Sequence, residues 1–375
     1  MAGIYIHIPF CQQACHYCDF HFSTNLKLKR QLCDALVKEL ALQKDYLGNS
    51  SIKTIYFGGG TPSLLTQNEL SSILNQVSNT FSVAIDAEIT LEANPENLDT
   101  GYLQFLRSLG INRLSVGIQS FDDITLRKLN RNHDSTSAID SFQYARKVGF
   151  ESISIDLIYA TDQDDQKWLN DLNKAIDLNP EHISAYCLTI EQKTVFGKWV
   201  SKGKMDEVPD DTGARHFEMG HNHLSKAGYE HYEISNFCKP GHYSKHNTAY
   251  WSGNHYLGIG PGAHSYNGGS RQFNVSNNPK YIKAICEGIV PFEIEQLSEI
   301  DKINEYLMTS LRTKWGVDLD IVKSRFDNTN FDDVLRKLYG FEKRCLLTVT
   351  GNKAILTLKG QLLADELTSQ LMVTD

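Results

Sequence analysis

Cys11, Cys15 and Cys18 crowd three thiols into eight residues, in the spacing Cys-x3-Cys-x2-Cys. Three thiolates on one short loop can each bind one iron of a 4Fe–4S cubane, which leaves the fourth iron without a protein ligand. An open iron suits chelation by an amino group and a carboxylate, such as those of S-adenosylmethionine (SAM). Electron transfer from the cluster can then cleave the sulfonium to a 5′-deoxyadenosyl radical, with the cofactors supplying the chemistry. A structural zinc site normally takes four ligands in two pairs, and no second pair lies near in sequence. Three unconnected buried thiols are the plain alternative, and their bunching argues against it. The other five cysteines, Cys33, Cys187, Cys238, Cys286 and Cys345, lie far apart. That distribution fits a reduced compartment with one cysteine-ligated site better than a disulfide scaffold.

A loop of this kind needs a rigid frame. Strands are expected at Ile4–Ile8, Thr54–Phe57, Glu88–Glu92, Arg113–Val116, Ser152–Ile158 and His182–Leu188. Helices are expected between them: Leu28, Leu32, Leu36 and Leu40 recur every four residues, and Leu70, Ile73, Leu74 and Val77 repeat the pattern. Leu103 with Leu106, Ala138 to Val148, and Trp168 with Leu172 and Ile176 mark three more. Six β–α units in succession predict an α/β fold with a parallel sheet and right-handed crossovers. Periodicity leaves open whether the sheet curls into a partial barrel or lies flat and doubly wound. Either way the chemistry belongs at the C-terminal strand ends, and the cysteines follow the first strand directly. Gly58-Gly59-Gly60-Thr61-Pro62 follows the second strand, where glycines let a backbone approach a ligand closely. It lacks the Gly-Lys-Ser/Thr ending of a phosphate-binding loop.

Beyond about residue 205 the alternation stops. The predicted organisation is a core over 1–205, a His- and aromatic-rich accessory region over 206–300, and a C-terminal unit over 301–375. Within the accessory region Asp210–Ala227 reads as helical. Helices at Ile303–Lys314 and Asp332–Leu338 precede a hairpin, Leu346–Thr350 with Ala354–Leu358 around Gly351-Asn352, which suggests a winged-helix-like end. A net charge of −8 argues against a nucleic-acid binder. No apolar run approaches the ~18 residues of a membrane span, and Met1-Ala2-Gly3 with its short, interrupted apolar stretch does not resemble a signal peptide. The expected location is cytoplasmic.

The stretch Ile4-Tyr5-Ile6-His7-Ile8-Pro9-Phe10-Cys11 through Asp19-Phe20 resembles the radical SAM subgroup of oxygen-independent coproporphyrinogen III oxidases and HemW-type heme chaperones. The likeness runs over about residues 4–266. It implies a radical SAM partial (β/α)6 barrel, a 4Fe–4S cluster on Cys11, Cys15 and Cys18, and SAM as cofactor. It also implies a SAM-contacting set of Tyr5, Gly59, Gly60, Thr61, Glu92, Gln119, Arg131 and Asp156. Singly, each polar member reads as a solvated loop residue. Carboxylates suit ribose hydroxyls, and an arginine suits the SAM carboxylate. One departure is the turn after Tyr159, where Ala160-Thr161-Asp162-Gln163 replaces the usual Gly-Leu-Pro-Gly.

Within that subgroup the sequence divides between an enzyme and a carrier. The oxidase pattern has a fourth cysteine two residues after the third, where this chain has Phe20, and a long segment before the cluster, where ten residues stand here. Both differences count against coproporphyrinogen oxidation. His246-Asn247-Thr248-Ala249-Tyr250-Trp251 matches the His-Asn-x-x-Tyr-Trp motif of the chaperones. Heme is thus the implied ligand, with His246 as candidate axial donor and Tyr250 and Trp251 as pocket walls. Eight of the thirteen histidines fall between His216 and His264, which weighs against reading His246 as an ordinary hydrogen-bonded loop residue. A zinc site from Cys238, His242 and His246 would need a helix that Pro240-Gly241 interrupts. The motif lies far along the chain from Cys18 and is expected outside the barrel. The implied partners are heme and heme-accepting proteins such as respiratory cytochromes, with a homodimer left open.

Overall fold

The computed structural model describes residues 2–325 and 328–373. Six strands run parallel and in sequence order: β1 (Ala2–Ile8), β2 (Ile52–Gly59), β3 (Val83–Ala93), β4 (Arg113–Gln119), β5 (Ser152–Tyr159) and β6 (His182–Cys187). The crossover helices are α1 (Lys29–Leu42), α2 (Gln67–Thr80), α3 (Thr100–Ser108), α4 (Asp123–Lys128), α5 (Ser135–Val148) and α6 (Asp165–Leu178). Sequential order with right-handed crossovers puts every helix on one face, whereas a doubly wound sheet needs a reversal of order. The architecture is therefore the partial-barrel one. The sheet does not close on itself.

Alternation along these strands divides the two faces by chemistry. Ile4, Ile6, Ile8, Ile55, Phe57, Leu91, Leu114, Val116, Ile153, Ile155, Leu157 and Ile183 are buried in the core beneath the helices. Their neighbours point to the inner face: Tyr5 and His7, Thr54 and Tyr56, Glu88 and Glu92, Arg113 and Ser115, Ser154 and Asp156, His182 and Ser184. Register aligns Tyr5, Tyr56, Thr90 and Arg113 across four strands, and Glu92, Ser115, Ser154 and His182 in the next row. The apolar side anchors the sheet; the polar side carries the candidate site residues.

The accessory region expected over 206–300 has no separate core, because its strands extend the same sheet at both ends. Helices α7 (Val195–Ser201) and α8 (Asp210–Lys226) lead to β7 (Glu230–Glu233) and β8 (Asn236–Cys238), which join beyond β6. After α9 (Lys245–Trp251), β9 (His255–Ile259) pairs parallel with β1. β10 (His264–Tyr266), β11 (Ser270–Asn274) and β12 (Phe292–Gln296) then add antiparallel strands, and α10 (Asn278–Cys286) packs on α1. Buried Glu39 ties that corner together, accepting from Gly260 N–H at 2.8 Å and Asn274 Nδ2 at 2.7 Å, and from the Tyr281 hydroxyl.

The C-terminal segment has a second hydrophobic core, built on Ile303, Leu307, Val322, Val334, Leu338, Leu356 and Leu367. It contains α11 (Glu299–Leu311), β13 (Val317–Asp318), α12 (Leu319–Arg325), α13 (Asn328–Lys343), β14 (Leu347–Thr350), β15 (Lys353–Leu356), α14 (Leu358–Gln361) and α15 (Ala364–Leu371). The β14–β15 hairpin turns at Gly351, φ 61°, as its Gly-Asn pair predicts. Among the described residues no helix is long and apolar enough to cross a membrane.

Candidate cofactor site and aromatic cavity

The cysteine loop leaves β1 and is held by main-chain bonds. Cys11 N–H donates to Ser23 O (3.1 Å), His16 N–H to Leu129 O (3.2 Å) and Cys18 N–H to Cys15 O (3.3 Å). All three thiols are free and partly exposed. Burial raises the Cys11 thiol and pushes Cys18 up to about 11, with the neighbouring thiols adding to the effect. Among the described residues no group of three or more His, Cys, Asp or Glu converges where a single metal ion would sit. Tyr17 packs beneath the loop with Leu129, Ile158 and Phe196, while Phe20, at the oxidase's fourth-cysteine position, is 73 % exposed.

Beside the thiols runs the glycine turn. Gly60 N–H donates to Ile8 O at 2.9 Å and Thr61 N–H to Phe10 O at 2.7 Å, so the turn is bonded to the start of the cysteine loop. Gly59 sits at φ 103°, and a Cβ there would lie 2.4 Å from the His7 ring. Gly59→Ala is therefore expected to lower the unfolding free energy by about 2–4 kcal/mol, from backbone strain plus overpacking. Urea denaturation measures it, and an unchanged midpoint would mean that the turn tolerates a side chain.

The remaining members of the expected set meet here. Gly59 N–H donates to Glu92 Oε2 at 3.2 Å, and Tyr56 OH donates to Glu92 Oε1 at 2.7 Å. Burial, reinforced by Asp156 and opposed by these two donors, pushes the Glu92 carboxyl up to about 7. Asp156 accepts from Ser115 Oγ at 3.2 Å, and burial raises its carboxyl too. Arg131 Nη1 donates to Cys15 Sγ at 3.3 Å, while Nη2 donates to Asn94 Oδ1 at 2.6 Å and Gly117 O at 2.8 Å. Among the described residues its Nε is buried without a partner. Gln119, on the same rim, holds φ 70°, a backbone conformation costly for a non-glycine residue. Tyr5 lies on the inner face with its hydroxyl 3.1 Å from His7 Nδ1. All eight residues thus line one face or its rim, and they could hold a small molecule bearing an amine, a carboxylate and hydroxyls.

Three contributors went unpredicted: Tyr56, Asn94 and His7. Period-two alternation through β2 could have flagged Tyr56, since it shares the parity of Thr54 and Gly58. His7 carries the same sign, two residues after Tyr5 in β1, whereas Asn94 carries none, because its role depends on Arg131 across the fold. In the departing turn, Ala160 adopts φ 56° yet buries its methyl in the core, and its N–H donates to His216 Nδ1 at 3.3 Å.

The structure corrects the position of His246. It is inside the barrel, not outside, and 2 % exposed. Its Nδ1 is 2.8 Å from Thr54 Oγ1 and its Nε2 is 2.9 Å from Tyr250 OH. The ring stacks on Tyr56 with centroids 5.0 Å apart at 22°. Burial pushes its pKa down to about 3, so the imidazole is neutral. As placed, neither ring nitrogen is left for iron. Tyr250 and Trp251, by contrast, line a cavity of about 580 Å³ between the sheet, α9 and α11. The cavity's aromatic wall continues through Tyr256, Tyr266 and Tyr306.

The profile of the radical SAM superfamily matches residues 5–175, and that of the HemN C-terminal domain matches residues 297–363. A protein of Bacillus subtilis called heme chaperone HemW is 36% identical over 98% of this chain and 98% of its own. One of the same name in Escherichia coli is 41% identical over 70% of this chain and 69% of its own. The solved structure of the Escherichia coli radical SAM enzyme coproporphyrinogen III oxidase (HemN) superposes with a TM-score of 0.86 at 23% identity, covering 99% of this chain and 90% of that one. That likeness establishes the fold, and the near full-length identity to the first relative establishes the kinship: the chain belongs to the HemW family of the radical SAM superfamily.

Proposed function

We propose that this protein is a heme chaperone, which binds heme and delivers it to hemoprotein acceptors such as respiratory cytochromes. The observation that carries the reading is the aromatic cavity beside α9, formed in a chain whose relatives bear the name heme chaperone over nearly its whole length. A flat, largely apolar macrocycle gains from burial between aromatic rings. Cys11, Cys15 and Cys18 hold a 4Fe–4S cluster. Tyr5, Gly59 to Thr61, Glu92, Gln119, Arg131 and Asp156 hold SAM, with the orphaned Arg131 Nε suited to its carboxylate. When bound, the cluster supplies an electron that can cleave the SAM sulfonium. The chain's own residues orient the cofactor, and the enclosed inner face keeps Glu92 ready to share a proton near neutral pH. His246 is proposed as a positioning residue for Tyr250 and Trp251. The location proposed is the cytoplasm, with the cluster kept reduced.

Anaerobic titration with hemin tests the function. A shifted Soret band saturating at a fixed ratio is expected, together with no conversion of coproporphyrinogen III when SAM and reductant are supplied. Multiple turnovers of that substrate would instead make the chain an oxidase.

A further inference from the structure

The cavity beside α9 has an uneven charge. Its lining carries four cations, Arg271, Lys302, Arg312 and Arg325, against two carboxylates, Glu233 and Glu305, in a chain whose net charge is −8. A cationic concentration in an acidic protein needs a cause. Internal pairing accounts for part of it: Arg271 Nη2 meets Glu305 Oε1 at 2.7 Å, and Arg312 pairs with exposed Asp365. Burial pushes the Glu233 carboxyl up to about 7, against the bond it accepts from Asn236 Nδ2.

Two donors on this wall are left without acceptors. Among the described residues, Arg271 Nε and Trp251 Nε1 are both buried and unpartnered. Buried donors without acceptors are costly, so their presence points to an acceptor supplied from outside. The Arg312 guanidinium lies 5.6 Å from the Trp251 ring centre, which sets cation and aromatic face side by side. Iron donors are of a different kind. Among the described residues no histidine or cysteine lines the cavity, whose candidates are tyrosine hydroxyls and the Met308 thioether. The hydroxyl of one of these tyrosines, Tyr250, is already bonded to His246.

Resting on the heme reading above, we infer that this cavity recognises its ligand by the carboxylates of a flat aromatic dianion, received by Arg271, Arg312 and the Trp251 N–H, and not by its iron. Arginine forks and an indole N–H are suited to carboxylate oxygens in a partly enclosed site.

Binding is measured for three probes by quenching of protein fluorescence: hemin, metal-free protoporphyrin IX, and protoporphyrin IX dimethyl ester. Metal-free protoporphyrin IX is expected to bind within about threefold of hemin. The diester is expected to bind at least tenfold more weakly, since each charge-assisted bond lost amounts to about a factor of ten. Arg271→Gln and Arg312→Gln should each weaken hemin by about tenfold, while binding of the diester stays unchanged. The ester comparison leaves the protein intact, so it decides the matter even if a variant folds poorly. Should hemin bind while metal-free protoporphyrin IX does not, iron ligation dominates and the inference is overturned. Should the diester bind as well as the diacid, the carboxylate recognition is wrong. If none of the three binds, it is the heme reading itself that fails.

Discussion

Replacing Cys11, Cys15 and Cys18 together by alanine is expected to remove all cluster iron and sulfide from anaerobically reconstituted protein while leaving far-UV circular dichroism near that of the parent. The loop keeps its shape through bonds that the substitution does not touch: Cys11 N–H to Ser23 O, His16 N–H to Leu129 O, and the His16 ring to Lys128 O at 2.9 Å. Phe196 N–H also donates to His16 O at 3.0 Å, fixing the loop from outside. The polar contacts that depend on the thiols are weak ones: Arg131 Nη1 to Cys15 Sγ at 3.3 Å, the side chains of Thr61 with Cys11 and Tyr17 with Cys15, and the Phe20 N–H with Cys18. Losing each costs about 1 kcal/mol or less, since sulfur is a weak acceptor. The other five thiols lie outside this loop: Cys33 is a buried residue of α1, Cys187 ends β6, Cys238 ends β8, Cys286 ends α10 and Cys345 precedes β14. Iron content and the absorbance near 400 nm are expected to fall to background (roughly nil) because each thiolate binds a separate iron. Retention of full iron and sulfide in the triple variant would dismiss the cluster assignment.

His246→Ala is expected to destabilise the protein by about 3–5 kcal/mol at pH 7.5, the usual cost of emptying a ring-sized buried site. Besides the lost stacking on Tyr56, the change leaves the hydroxyls of Thr54 and Tyr250 without their partner. The gap should narrow on acidification. His246 has its folded pKa depressed to about 3, below the ordinary 6.5, so the unfolded chain binds more protons in that window and the parent loses stability as pH falls through it. The alanine variant lacks that loss, so the difference should shrink by about 1 kcal/mol between pH 7.5 and 5.5. Hemin should still bind, more weakly, with ligand-field bands of unchanged shape, because His246 acts through the placement of Tyr250 and Trp251. Bands that change shape and are restored by added imidazole would return His246 to the iron.

The legibility of this molecule in its sequence follows burial and range. The six parallel strands could be read because each carries a continuous or alternating run of isoleucine, leucine and valine, such as Ile4-Tyr5-Ile6-His7-Ile8, bounded by helical periodicity. The flanking strands could not. β10 has three residues, and β12 reads Phe-Glu-Ile-Glu-Gln with all five residues exposed, a pattern that alternates but buries nothing. Such edges are set by pairing to β11, not by local preference. The cysteine triad and the glycine turn stand out because each is concentrated in a single loop. His246 was misplaced because its partner Thr54 is 192 residues away, and α9 folds back into the barrel to meet it. The motif stands out in the sequence; the long-range contacts of its histidine do not.

The division of the sheet into an oily face and a polar one also acts as a check on assembly. Slipping any of the six parallel strands by a single residue exchanges its faces. For β3 that would drive Glu88 and Glu92 under the helices and turn Leu91 inward; for β4 it would bury Arg113 among leucines. Each such error strands a charge in hydrocarbon, at a cost of several kcal/mol. The residues that build the site thereby act as proofreaders of strand register: an arrangement that misaligns the cofactor residues is also one that the chain cannot hold.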